Sequence, residues 1–90
     1  MREIAKELIR KYGEEHEKLK VLEELNELSN EIFRDINHNE SSRMKILEER
    51  TDVELMLAMI DEIYEFNEKN KGIMWESKLN KIKEKYLKED

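Results

Sequence analysis

Glu49-Arg-Thr-Asp-Val-Glu-Leu-Met-Leu-Ala-Met-Ile60 decides how this chain reads. At about 100° per residue it forms a helix with one apolar face. Val53, Met56, Leu57, Ile60, Ile63 and Tyr64 fall within roughly 80° of Glu49 on that face. Asp52 lies about 60° to the other side, near Met59. Arg50, Thr51, Glu54, Asp61 and Glu65 take the opposite face. Glu49 and Asp52, spaced i and i+3, therefore point where a core is expected. A carboxylate placed there is costly unless it is paired, protonated or bound to a cation.

Around this stretch the composition points to an all-α chain. It has 90 residues, no Pro and two glycines, with helix formers dominant. That length is read as one domain over 1–90. Charged residues make up 44% and hydrophobic ones 38%, so a lone copy buries only a thin core. Val53 to Ile60 is apolar nearly all round except at Glu54, which predicts burial on more than one side and hence a homo-oligomer. The net charge of −6 argues against a nucleic acid polymer as partner. Cysteine is absent, so disulfide and thiol chemistry are excluded. No secretory leader or membrane-spanning run is read, and the expectation is a soluble cytoplasmic protein.

In chain order, residues 2–12 read as a first helix stopped at Gly13. A second covers 14–36, with Leu22, Leu25, Leu28, Ile32 and Ile36 as its apolar face. Asn37-His38-Asn39 reads as the turn, and Ser41 or Ser42 as the N-cap of a third helix running to about Glu68. Asn70-Lys71-Gly72 reads as the next break. The last helix carries Trp75, Leu79, Ile82 and Tyr86 on one stripe, with Lys78, Lys81, Lys85 and Lys88 beside it. Trp75 at that spacing reads as core, and so do the methionines.

The second helix holds Glu23-Glu24-Leu25-Asn26-Glu27, with Glu24 and Glu27 neighbours on its surface and Glu31 and Asp35 continuing the stripe. If the second and third helices pack antiparallel, four carboxylates converge. A hard divalent cation, Mg²⁺ or Mn²⁺, is an obvious remedy for their repulsion, and zinc lacks suitable ligands. For Glu27 the competing reading is a solvated helix face, since Glu is 19 of 90 residues. For Glu49 and Asp52 it is a buried ion pair or helix-start acids.

Glu23-Glu24-x-x-Glu27, then 21 residues, then Glu49-x-x-Asp52 resembles the signature of the MazG-like all-α nucleoside triphosphate pyrophosphohydrolases. The flanks Leu22 to Leu28 and Glu48 to Leu57 are similar to that family's two motif helices, and Lys11-Tyr12-Gly13 and Lys78 to Ile82 add to the likeness. Thr51 stands where the family usually has Ala, and His16 where Gln is common. The resemblance implies a helical bundle whose four-helix core is completed by oligomerisation, as a homodimer or homotetramer. It implies Mg²⁺ held by Glu24, Glu27, Glu49 and Asp52, with Glu23 or Glu27 orienting or deprotonating the water. The implied reaction cleaves the α–β phosphoanhydride of a nucleoside triphosphate to the monophosphate and pyrophosphate. Lys78 and Lys81 are candidates to reach phosphates, with Lys20 and Arg50 weaker ones, and His16 could line a base pocket. The alternative is a catalytically silent helical interaction module of the same fold.

Overall fold

A computed structural model describes residues 2–38 and 41–88. It consists of α1 (Arg2–Tyr12), α2 (Glu14–His38), α3 (Arg43–Ile63) and α4 (Glu68–Tyr86), with no strand among the described residues. None of these helices is long and apolar enough to cross a membrane.

Local chemistry places the boundaries. Gly13 adopts φ +91°, a left-handed conformation that a side chain would strain. Its N–H donates to the Ile9 carbonyl at 2.8 Å, and its own carbonyl accepts from the Glu17 N–H at 3.2 Å. One residue thus ends α1 and starts α2. Ser42 is the N-cap of α3, its Oγ accepting from the Lys45 N–H at 3.1 Å.

Two boundaries differ from the sequence reading. Asn37 and His38 belong to the last turn of α2 instead of a loop, and Asn39 lies outside the described residues. The break placed at Asn70-Lys71-Gly72 falls inside α4, and the true interruption is Tyr64 to Asn67. There Glu65 takes φ 57°, and the Asn67 side chain accepts from the Asn70 N–H at 2.8 Å. A strong cap outweighs the modest helix cost of an interior Gly72, about 1 kcal/mol.

The core is small. Ala5 of α1, Val21 of α2 and Met59 of α3 meet at its centre, flanked by Leu8, Ile9, Met56, Ile60 and Ile63. Met59 is 1% exposed and ties three helices together. The other methionines do not all share this fate: Met44 and Met74 are exposed.

Helices α2 and α3 run antiparallel. Ser41, just before α3, donates to Glu31 near the end of α2, while Glu24, further back on α2, meets Glu49 and Asp52 further along α3. The face of α2 turned inward is not the expected one. Its buried positions are Glu17, Val21, Glu24 and Glu31, and Leu22 and Ile36 are 62% and 71% exposed. The apolar stripe is real, but it looks outward, to one side of the contact with α3. A single copy offers nothing to cover it.

α4 has no buried residue and packs on none of the other three helices. Trp75, expected in the core, is 68% exposed. Lys71 fastens the start of α4 to α3 through Asp61 at 2.8 Å. The radius of gyration is 16.4 Å, against about 12 Å for a compact chain of this length. The helix projects as an arm.

Candidate carboxylate site

The site forms where α2 crosses α3. Glu23, Glu24 and Glu27 bring one carboxylate oxygen each within 4.8 Å of one another, and Glu24, Glu49 and Asp52 do the same. Glu24 belongs to both triads, so the five acids form one continuous group. Helical spacing explains it: i, i+3 pairs on each helix lie one turn apart, and the antiparallel pairing sets the two turns opposite each other.

Burial is unequal. The side chains of Glu24 and Glu49 are 10% and 9% exposed, Asp52 is half-buried, and Glu23 and Glu27 reach solvent. Two lysines approach from the previous turn of each helix. Lys20 Nζ lies 3.3 Å from Oε1 of both Glu23 and Glu24, and Lys45 Nζ lies 3.2 Å from Glu49 Oε1. Hydrogen bonding to Glu24 holds the Lys20 ammonium above its ordinary pKa, and hydrogen bonding to Glu49 does the same for Lys45. Each lysine serves the Oε1 side. Glu24 Oε2 and Glu49 Oε2 stay buried with no hydrogen-bond partner. Buried oxygens of this kind cost several kcal/mol between them unless something meets them.

Glu27 carries the electrostatic signature of the cluster. The neighbouring Glu24 charge, foremost, then slight desolvation and a hydrogen bond with Glu24, and last the Glu49 and Glu23 charges, push its pKa above the ordinary carboxylate value. The raised value means that folding disfavours ionised Glu27. Metal-free stability contributed by this group therefore grows as pH falls through its raised folded pKa. A bound cation would compete with that proton. Affinity for Mg²⁺ is expected to fall as pH drops from neutral into the window just above the ordinary carboxylate range. Calorimetric titrations at two pH values check this. Affinity that rises on acidification would contradict it.

The structure thus gathers Glu23, Glu24, Glu27, Glu49 and Asp52, and adds Lys20 as the counter-ion of Glu23 and Glu24. His16 sits one turn earlier, stacked on Tyr12 at 5.0 Å between ring centroids and 3.7 Å from Glu17. Lys78 and Lys81 lie on α4 and are not brought to the acids of their own chain. One counter-ion of the site and one buried acid outside it escaped the sequence reading. Lys45 is i−4 from Glu49, a spacing that could have flagged it. Glu17 precedes Glu24 and Glu31 by steps of seven, the period of a buried helix seam, and all three are buried.

The fold and site define an all-α chain with a half-buried carboxylate cluster between two antiparallel helices. Comparison with family models, with curated proteins and with solved structures finds no match.

Proposed function

We propose that this chain is a Mg²⁺-dependent nucleoside triphosphate pyrophosphohydrolase of the MazG-like kind, cleaving the α–β phosphoanhydride of (d)NTPs to (d)NMP and pyrophosphate. It acts in this reading as a cytoplasmic homodimer or homotetramer that clears unwanted nucleotides. The observation that carries the proposal is the pair of buried, unpartnered oxygens, Glu24 Oε2 and Glu49 Oε2, beside Asp52. An all-oxygen donor set of this charge fits Mg²⁺, or Mn²⁺ in its place.

Glu24, Glu49 and Asp52 would hold the cation, with Glu27 completing the set from the solvent side. A bound Mg²⁺ supplies neutralisation of phosphate oxygens and a water of lowered pKa. Glu23 and Glu27 are exposed, each with a carboxylate oxygen within 4.8 Å of one of Glu24, and would be the groups to orient that water. Glu23 or Glu27 would serve as the base. Lys20 lies where it can exchange a carboxylate partner for a phosphate oxygen.

A catalytically silent interaction module is the second reading, favoured by the exposed apolar stripes of α2 and α4. Pyrophosphate release from a panel of dNTPs and NTPs with Mg²⁺ separates the two. Release from at least one nucleotide, lost in the Glu49→Gln, Asp52→Asn double variant, is expected. Release that survives the double variant would remove the assigned site, and none from any nucleotide would favour the module.

A further inference from the structure

The geometry points to α4 as an exchanged arm that lies along the exposed apolar face of α2 and α3 of a second copy of this chain, each copy giving and receiving one arm. This goes beyond the oligomer of the proposed function by naming the surfaces, and it does not depend on any nucleotide being the substrate.

The receiving face follows from helix geometry. Leu25, Ile32 and Ile36 lie about 100° round α2 from the buried Glu24, and Leu57 and Tyr64 about 80° or less round α3 from Glu49. In antiparallel helices those two rotations fall on the same side of the hairpin. Lys18, from the same stripe of α2, places its ammonium 5.0 Å from the Tyr64 ring centroid, which confirms the alignment. Leu25, Ile32, Ile36 and Leu57 are all exposed there.

The arm is matched to it. Trp75, Leu79, Ile82 and Tyr86 recur at helical spacing, each exposed, on a helix that packs on no other helix of its own chain and is tied to α3 at its start through Lys71 and Asp61. A surface helix without a core to face is marginal in water. Half-exposed side chains of this size present on the order of 100 Å² each, so the two stripes together approach the ~800 Å² per partner of a standard interface.

Charge favours the same pairing. Residues 68–90 carry seven lysines against five acids, while 1–67 carry ten basic residues against eighteen acids. A cationic arm and an anionic body attract between copies. Within one chain, the Lys71–Asp61 pair ties only the start of α4 to α3, and the rest of α4 packs on no helix. Reciprocal exchange gives a closed two-fold dimer with both stripes covered.

Trp75 is the sole tryptophan and reports directly on the arm. Tryptophan emission and light-scattering mass would be measured on the full chain across a dilution series. The expected result is a dimer with blue-shifted emission that shifts red as it dissociates. Leu25→Glu with Ile32→Glu changes only exposed residues of the receiving face. It should weaken association by about 100-fold or more, leave helical circular dichroism intact and return Trp75 to water. A dimer whose Trp75 stays in water would overturn the arm and leave the oligomer standing. A monomer at every concentration would overturn both. Blue emission in a monomer would place α4 on its own hairpin, or, if seen only with anionic vesicles, on a lipid surface, and either sinks the exchange.

Discussion

Replacing Glu49 by Gln will raise the melting temperature of the metal-free protein and abolish its response to Mg²⁺. Two carboxylate charges about 5 Å apart repel by roughly 3 kcal/mol at an effective dielectric of about 20. Glu24 and Glu49 are that close and nine-tenths buried, and Lys20 and Lys45 offset only part of the repulsion. Removing one charge relieves the remainder. Net relief of about 1 kcal/mol corresponds to an increase of about 4–8 °C in a domain of this size. On the proposed reading the wild-type protein would gain instead from the cation, by about 2.7 kcal/mol at a concentration 100 times the dissociation constant. The variant forfeits that gain, and nucleotide hydrolysis should fall by about 10³-fold or more, since the loss of several kcal/mol of transition-state stabilisation translates directly into rate. Thermal scans with and without Mg²⁺ read both effects. A variant that melts lower in the absence of metal would mean that the Lys45–Glu49 pair outweighs the repulsion, and the case for a cation would weaken accordingly.

Met59→Ala will be the most damaging single change to the fold. Met59 is the only large side chain among the described residues that is almost wholly sealed, and it meets Ala5 and Val21 from two other helices. Truncating a buried Met to Ala costs about 2–5 kcal/mol, the transfer free energy plus the cavity left behind. A chain of this length has roughly 5–13 kcal/mol of stability in total. The melting temperature should drop by about 10 °C or more. Leu19→Ala serves as the control, because Leu19 is exposed and lies away from the core. Its effect should stay within about 0.5 kcal/mol. Chemical denaturation of both variants tests the contrast. Equal losses would mean that the buried centre lies elsewhere.

Much of the fold was legible residue by residue. The first helix, its stop at Gly13 and a serine cap before α3, left between Ser41 and Ser42 by the sequence and resolved as Ser42 by the structure, all come from chemistry within one turn of the chain. The misplaced breaks have a common cause. Asn37, His38, Asn70 and Gly72 are weak helix formers, but none is forbidden in a helix, and nearby caps or adjoining turns decided their state. Asn67, whose side chain closes the first turn of α4, was the stronger signal.

The carboxylate group was legible for a similar reason. Glu24 with Glu27 and Glu49 with Asp52 are set by i, i+3 spacing, and a short turn makes antiparallel pairing the natural arrangement. Lys78 and Lys81 show the limit of that reasoning. Their place on a basic stripe is local, but the reach of that stripe depends on where α4 lies, and α4 does not pack on the helices that carry the carboxylate cluster.

The sequence by itself determined four helices, their apolar stripes and the carboxylate spacings, because propensity, caps and periodicity act over a few residues. Only the tertiary structure decided which stripe turns inward. α2 turns Glu17, Val21, Glu24 and Glu31 inward and leaves Leu22, Ile32 and Ile36 in water. Periodicity records that a stripe exists, while its partner is chosen by competition among all the surfaces present. In this chain the hairpin contact and the small α1 core satisfy that competition without covering the greasiest face of α2.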